Sequence, residues 1–209
     1  DLHSFPTRRS SDLHIVVDGA AAGSQVAFAV ILGTGCGGGL VVNGRLVEGA
    51  NGIGGEWGHI PLPWPTSDEI DATHCWCGQH GCVETWVSGS GLQRDYAQAS
   101  GRNLDGLSII EAGRAGDVQA RAAFDRYLNR LGRALAVVCN IVDPDTIVFG
   151  GGISNVTELY EGLPSIVRSY IFSDAWAVQM SPARWGDSSG VRGAARLWLP
   201  HDVAVQAQD

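Results

Sequence analysis

The chain has 209 residues, of which 44% are hydrophobic and 17% are charged, as in globular proteins that bury a real core. Its net charge of −8 argues against nucleic acid or an anionic membrane as the main partner. No apolar run approaches the roughly 20 residues that a membrane-spanning helix needs, so we predict no membrane partner.

Residues 1–13, DLHSFPTRRSSDL, carry no recognisable targeting signal. They lack the apolar region of a secretory signal and the amphipathic period of a transit peptide. They match, at every position, the translation of a common short-read sequencing adapter. We therefore expect a disordered assembly artefact here and exclude it from fold and site reasoning. The genuine chain would then start near His14, with sequence upstream of it missing.

The first predicted strand is VAFAVIL, residues 26–32, a short apolar and β-branched run bounded by glycine. Residues 39–49 place Asn43-Gly44 between apolar pairs, which is a strong signal for a β-hairpin. Residues 60–73 are rich in proline and then acidic, so we expect a loop there.

Helical signals dominate the next part of the chain. Residues 84–101 predict a short helical start and then a helix that ends at Gly101. A short helix is predicted over 108–116. Asp117 predicts the N-cap of a long amphipathic helix, which Asp143-Pro144 ends.

The remaining chain alternates between strand and helix. The predicted elements are a strand at 146–152, a helix at 155–171, a strand at 177–180 and a closing helix at 188–198. A hairpin followed by this alternation predicts an α/β domain with a mixed sheet.

Two glycine-rich loops follow predicted strands. LGTGCGGG, residues 32–39, offers backbone N–H groups and a threonine hydroxyl to phosphate oxygens, but it is neither a P-loop nor a dinucleotide fingerprint. FGGG, residues 149–152, lies between a strand and a helix N-terminus. Structural turns and tight packing are the competing interpretations. The candidate phosphate-binding residues are Gly33, Thr34, Gly35, Gly150 and Gly151.

The segment HCWCGQHGCVE, residues 74–84, holds three of the five cysteines with the spacing Cys-x-Cys-x4-Cys. A redox pair would need two spacer residues, and a disulfide would leave one thiol over. Three thiolates suit tetrahedral Zn²⁺, which then needs one nitrogen ligand. His59, His74 and His80 are the candidates, and spacing alone favours His59 only modestly.

LGTGCGGG, EWGH and CWCGQHGCVE, in this order, resemble the ROK family of bacterial sugar kinases, N-acylhexosamine kinases and related repressors. GEWGHIPLPW and GDSSGVRGAARLW narrow the resemblance to the fructokinases. It covers about residues 17–198. It implies that residues 14–209 form the C-terminal lobe of an actin-like ATPase (ribonuclease H-like) α/β fold, a mixed sheet flanked by helices, with a zinc-clipped loop.

The resemblance also implies a site. His59 would complete a structural Zn²⁺ site with Cys75, Cys77 and Cys82. Glu56, His59 and Glu84 would bind the hydroxyls of a hexose. The implied activity is that of a cytoplasmic fructokinase, which converts fructose and ATP into fructose 6-phosphate and ADP. Its partners would be ATP with Mg²⁺, a hexose and, as often in the family, a second copy of the chain.

Two motifs of the family's kinases are missing. Neither Asn-Asp-x-Asn, which supplies the catalytic Asp, nor the phosphate loop Asp-x-Gly-Gly-Thr occurs. Asp18 lies too close to the glycine loop to replace that Asp. We therefore assign no catalytic residue and expect an inactive C-terminal lobe. The alternatives are a fragment of a sugar-responsive ROK transcriptional repressor and a zinc-ribbon-like module that binds neither sugar nor ATP.

Overall fold

A five-stranded sheet forms the centre of the chain in a computed structural model that describes residues 19–70 and 73–184. Its order is β3-β2-β1-β4-β5. The strands are β1 (Val26–Leu32), β2 (Cys36–Val42), β3 (Arg45–Leu46), β4 (Thr146–Gly150) and β5 (Gln179–Pro182). The predicted closing helix at 188–198 and the adapter-like residues 1–13 lie outside the described residues.

The sheet is mixed, as the sequence predicts. β2 pairs with β1 and β3 antiparallel, whereas β4 pairs with β1 and β5 parallel. The hairpin between β2 and β3 turns at Asn43 and Gly44, whose φ angles of 50° and 73° fit the two positive-φ positions of a tight hairpin turn. β4 is buried along its whole length, because β1 and β5 flank it and its side chains join hydrophobic clusters on both faces of the sheet.

Six α-helices accompany the sheet in the described ranges. They are α1 (Ser67–Ile70), α2 (Val83–Val87), α3 (Gly89–Ser100), α4 (Gly106–Arg114), α5 (Val118–Val142) and α6 (Thr157–Arg168). None of them is long and apolar enough to cross a membrane.

The long helix α5 is the main helical contribution to the core. Its predicted N-cap is confirmed, because the Asp117 carboxylate accepts hydrogen bonds from the N–H groups of Gln119 and Ala120. It ends at Asp143 in the left-handed conformation, directly before Pro144. α5 packs against α3, α4 and α6.

Three segments differ from the sequence predictions. The expected loop over 60–73 contains the short helix α1. β4 ends at Gly150, and the following glycine enters a 3₁₀ turn over Gly152–Asn155. The predicted helix at 155–171 is shorter, because Val156 is extended and acts as its N-cap.

Glycines bring the segment before α1 into contact with the sheet. A Cβ on Gly55 would lie 2.7 Å from the Gly38 carbonyl oxygen, and one on Gly58 would lie 2.4 Å from the Cys36 carbonyl oxygen. Both distances are shorter than real Cβ contacts. The glycine clusters in the sequence therefore serve backbone-to-backbone packing, which holds residues 55–59 against β2.

Candidate metal centre and adjoining cleft

Three cysteines and one histidine converge on one point. We call His59, Cys75, Cys77 and Cys82 the metal centre. Their ligand atoms all lie within 4.8 Å of one another. The Sγ of Cys75 is 3.6 Å from the Nδ1 of His59, and the Sγ atoms of Cys77 and Cys82 are also 3.6 Å apart. The structure thus brings together the four side chains that the resemblance implied.

Two of the six separations between ligand atoms match those around a bound zinc ion. For bonds of about 2.3 Å to sulfur and about 2.0 Å to nitrogen, a tetrahedron separates its ligand atoms by roughly 3.5–3.8 Å. Both measured pairs lie in that range. The donor set of three thiolates and one imidazole is itself typical of closed structural zinc sites.

The thiols have unequal acidities when no cation is present to favour their ionised forms. Burial raises the pKa of the Cys75 thiol and raises that of Cys82 to about 12. A backbone hydrogen bond from Gln79 lowers the pKa of Cys77. A divalent cation would supply the positive charge that stabilises all three as thiolates.

The other two candidate histidines pack against each other instead. The rings of His74 and His80 lie 4.2 Å apart, centroid to centroid, across a small β-bridge in the cysteine-rich turn. Backbone hydrogen bonds from Leu62 to Gly81 and from Val83 to Ile60 fasten this turn to the segment that follows His59.

The carboxylate of Glu84 lies beside the metal centre. It is only 8% exposed and sits in the first turn of α2, where the helix dipole favours a negative charge. Its Oε2 accepts a hydrogen bond of 2.9 Å from the Cys36 N–H, and its Oε1 accepts one of 2.6 Å from the Trp76 indole N–H. Two donors from separate segments thus orient the carboxylate.

Glu56 and His59 belong to the 3₁₀ turn that the glycines hold against β2. Between them, Trp57 is buried, packs edge-to-face on Phe28 and donates its indole hydrogen to the Gly37 carbonyl. The Glu56 Oε2 lies 4.0 Å from the His59 Nε2, and the Glu56 side chain is 39% exposed. This places a solvent-accessible carboxylate next to the imidazole.

A cleft of about 390 Å³ opens at the carboxyl end of β1. It is lined by Leu32, Gly33, Thr34, Gly89, Ser90, Gln93, Asp105, Gly106, Leu107, Gly152 and Ile153. The N-termini of α3 and α4 both face it. α3 directs partial positive charge toward the cleft, whereas the Asp105 carboxylate caps α4 and offsets the charge there. Hydrogen bonds from the Gly89 N–H to the Gly33 carbonyl and from the Ser90 hydroxyl to the Thr34 carbonyl fix one wall.

Only two of the five predicted phosphate-binding residues line the cleft. Gly33 and Thr34 line the cleft, although the Gly33 N–H donates to the Gly35 carbonyl within the turn. Gly35 instead faces Glu84, since a Cβ there would lie 2.7 Å from its Oε2. A Cβ on Gly150 would meet Ile31, and one on Gly151 would meet the Leu32 backbone, so both glycines pack against the end of β1.

Sequence reasoning missed most of the cleft. Ser90, Gln93, Asp105 and Gly106 belong to α3, α4 and their caps, far along the chain from the glycine loops. A usable signal was present, because Ser88 and Asp105 are N-cap residues that mark two helix starts.

Comparisons with a family model and with curated proteins agree on one kind of relative, sugar kinases of a single family. Residues 9–201 match the ROK family. An N-acetyl-D-glucosamine kinase from Pectobacterium carotovorum subsp. carotovorum (strain PC1) is 43% identical over 178 residues, covering 83% of this chain and 59% of that protein. The N-acetylgalactosamine kinase AgaK from Shewanella sp. (strain ANA-3) is 39% identical over 189 residues, covering 90% of this chain and 61% of that protein.

Solved structures of the family share the fold. A ROK hexokinase from Thermus thermophilus superposes with a TM-score of 0.80 at 31% identity, covering 91% of this chain and 63% of that one. A ROK family glucokinase from Streptomyces griseus, in complex with glucose and AMPPNP, gives 0.79 at 28% identity, with 91% and 66% covered. The α/β fold with a mixed sheet and flanking helices is thereby confirmed.

These relatives do not support the narrower resemblance to fructokinases. Of the two segments behind it, 186–198 lies outside the described residues. In the other, the Pro63 and Trp64 carbonyls accept hydrogen bonds from Arg133, so that stretch serves packing against α5. The chain spans about three fifths of the length of the curated relatives that it matches. The family match over residues 9–201 and the 43% identity to the Pectobacterium kinase show that the chain belongs to the ROK family.

Proposed function

We propose that this chain is the zinc- and sugar-binding part of an ATP-dependent kinase that phosphorylates an N-acetylhexosamine, with N-acetylglucosamine as the first candidate. One observation carries the proposal. The buried Glu84 carboxylate is oriented by two N–H donors directly beside the metal centre, at a position where the resemblance expects a sugar-binding glutamate.

The proposed sugar contacts use ordinary hydrogen-bond chemistry. An ionised carboxylate offers about four acceptor positions, and Glu84 uses two of them for Cys36 and Trp76. The remaining positions can accept from sugar hydroxyls. Glu56 and the His59 imidazole lie close to each other and add further acceptors and a donor. Sites built from such paired polar groups discriminate strongly against ligands that leave them unpaired.

In this proposal the zinc ion is structural. His59, Cys75, Cys77 and Cys82 would hold it, and the ion would cross-link the turn that carries Glu56 to the turn that precedes Glu84. Fixing two segments at one point limits the relative movement of the two carboxylates. Preorganised groups of this kind bind a ligand with less loss of conformational entropy.

The cleft is the proposed place for the nucleotide. The N-terminus of α3 directs partial positive charge into it, and Thr34 adds a hydroxyl. Mg²⁺ accompanies ATP in phosphoryl transfer and neutralises charge on the phosphate oxygens. α2 and α3 join at Ser88, so a short, continuous segment links Glu84 to the cleft wall.

Transfer of a phosphoryl group to a sugar hydroxyl also needs a base at the attacking oxygen. We assign Glu84 to sugar binding, because two N–H donors already engage its carboxylate. No residue is proposed as the base. We therefore expect the chain by itself to bind its ligands without turning them over.

The choice of an N-acetylhexosamine rests on the relatives. The two curated relatives described above are named as kinases of N-acetylglucosamine and N-acetylgalactosamine. The same names favour a kinase over the repressor alternative. Support for fructose is correspondingly weak, since the segments that suggested it serve packing or lie outside the described residues.

Calorimetry on the zinc-loaded chain tests the proposal. We expect N-acetylglucosamine to bind more tightly than glucose or fructose, and ADP to bind separately from it. Glu84→Gln should weaken sugar binding at least about tenfold, because one hydrogen-bond acceptor becomes a donor in a buried site. Tighter binding of fructose would restore the fructokinase hypothesis. Binding of zinc alone, with neither sugar nor nucleotide, would instead favour the zinc-ribbon-like module.

A further inference from the structure

Trp76 has an unusual position for a large aromatic residue. It is 65% exposed, although its neighbours Cys75 and Cys77 both belong to the metal centre. An exposed tryptophan in a tight turn contributes little to the core. Its location therefore calls for a reason other than packing.

Two contacts fix the indole. Its ring packs edge-to-face on the His59 ring, with centroids 4.9 Å apart and an interplanar angle of 88°. Its N–H donates a 2.6 Å hydrogen bond to the Oε1 of Glu84. The same side chain thus touches a ligand of the metal centre and the buried carboxylate beside it.

The hydrogen bond matters because of how Glu84 is held. The Cys36 N–H fixes Oε2 from the side of β2, and the Trp76 indole fixes Oε1 from the side of the cysteine-rich turn. With only one of these donors, the carboxylate could rotate about its last side-chain torsion, which has a broad preference. Both donors together define one orientation.

We propose that Trp76 is a positioning residue that couples occupancy of the metal centre to sugar affinity by orienting the Glu84 carboxylate. The proposal rests on the function proposed above for the sugar itself. A bound cation fixes Cys75 and Cys77 and hence the backbone of Trp76. The indole then holds Oε1, and the carboxylate presents its remaining acceptor positions in a constant direction.

A coupling of this kind must be reciprocal. If zinc tightens sugar binding by some factor, the sugar must tighten zinc binding by the same factor. Trp76→Phe keeps an aromatic ring against His59 but removes the N–H donor. We expect it to retain one zinc per chain, to weaken N-acetylglucosamine binding about tenfold and to reduce the reciprocal effect to the part that passes through His59 and Glu56.

The experiment combines calorimetry with competition for zinc. The dissociation constant for N-acetylglucosamine is measured on the zinc-loaded full chain, and zinc affinity is measured against a chromophoric chelator with and without the sugar. Trp64→Phe is the matched control, because Trp64 is also exposed but its ring packs on Tyr170 rather than on a residue of the metal centre. It should behave as the unmodified chain. Sugar affinity unchanged in Trp76→Phe would overturn the proposal.

A second readout needs no sugar. In ¹⁵N-correlated NMR spectra, the indole signal that disappears in Trp76→Phe should shift in Glu84→Gln and should also shift when zinc is chelated. If the chemical shift of this signal stays unchanged in Glu84→Gln or after zinc is chelated, the link between the metal centre and Glu84 is refuted. If the signal responds as expected but the unmodified chain binds no hexose, the function proposed above fails and sugar coupling fails with it, while the link itself stands.

Discussion

At the scale of single residues, the adjacent glycines Gly37 and Gly38 of β2 have different roles. A Cβ on Gly38 would lie 2.5 Å from the Trp57 ring, whereas one on Gly37 would meet nothing within 4 Å. Both residues look alike in the sequence CGGGLVV. Only the folded chain shows that Gly38 makes room for Trp57, which holds the turn of Glu56 and His59 against the sheet.

Gly38→Ala should therefore destabilise the protein, and Gly37→Ala should not. We expect Gly38→Ala to lower the free energy of unfolding by about 1–3 kcal/mol, the usual effect of overpacking, because the rigid Trp57 ring must move. Urea denaturation monitored by tryptophan fluorescence measures the free energy of unfolding of both variants. Equal free energies of unfolding for the two variants would contradict the prediction and show that the Trp57 ring can move aside at little cost.

At the scale of elements, buried ion pairs clamp the segment before the cysteine-rich turn onto α5. The Glu69 carboxylate of α1 accepts hydrogen bonds of 2.7–2.9 Å from Arg130 and Arg133, and all three side chains are at most 8% exposed. Burial alone would raise the pKa of Glu69, but hydrogen bonds from Arg130, the Thr66 backbone and Arg133 lower it from 4.5 to about 2.

Glu69→Gln should cost about 3–5 kcal/mol of stability at pH 7, because it leaves the buried Arg133 guanidinium without a carboxylate and leaves Arg130 with Asp95 alone. Since the pKa of Glu69 is depressed in the folded state, its stabilisation is complete above pH 4.5 and is lost as the pH falls toward 2. The difference between variant and unmodified chain should shrink over that window. Chemical denaturation at a series of pH values measures it.

Glu158 provides the control. A hydrogen bond from Arg114 lowers the pKa of Glu158 to about 2 as well, but this pair lies at the surface, with 50% of the arginine side chain exposed. Water and salt screen such pairs, so Glu158→Gln should change stability by less than about 1 kcal/mol. A loss as large as that of Glu69→Gln would contradict the distinction between buried and exposed pairs.

The same elements show what the sequence could predict. β1 over 26–32 and the helix between Asp117 and Asp143 follow from local periodicity and caps, and both are confirmed. The sequence did not predict α1, because ion pairs of its Glu69 with Arg130 and Arg133, which are remote in sequence, hold this short helix in place. Most of the cleft was not predicted for a similar reason, because segments that are far apart in the sequence form its lining. For the fourth ligand, the residue spacing favoured His59 only modestly, and the family resemblance singled it out.

At the scale of the whole molecule, the proposed zinc ion in the metal centre would join the turn packed on β2 to the segment that leads into α2. Chelating zinc should therefore loosen both segments and leave the sheet and α5 in place. We expect the thermal midpoint to fall by about 10 °C, with little change in helical content, from a loss of roughly 3–4 kcal/mol of binding energy. Circular dichroism with and without a chelator measures both quantities.

His59→Ala and His74→Ala separate the two kinds of histidine in this region. His59→Ala should lower zinc content well below one ion per chain, since it removes one of four converging ligands. His74→Ala should retain zinc, because the His74 ring packs on His80 instead. Elemental analysis of the purified variants decides between them, and zinc loss in His74→Ala would reassign the fourth ligand.

The position of the metal centre along the chain also bears on the order of folding. His59 and Cys82 lie within one short segment, so closing this loop carries a small entropic cost. The parallel pairing of β1 with β4 joins Ala27 to Thr146 across most of the described chain. Contacts between such distant segments form slowly. We therefore expect a bound cation to order its local turn before β1 and β4 pair, so that these two strands would come together beside a segment that is already ordered.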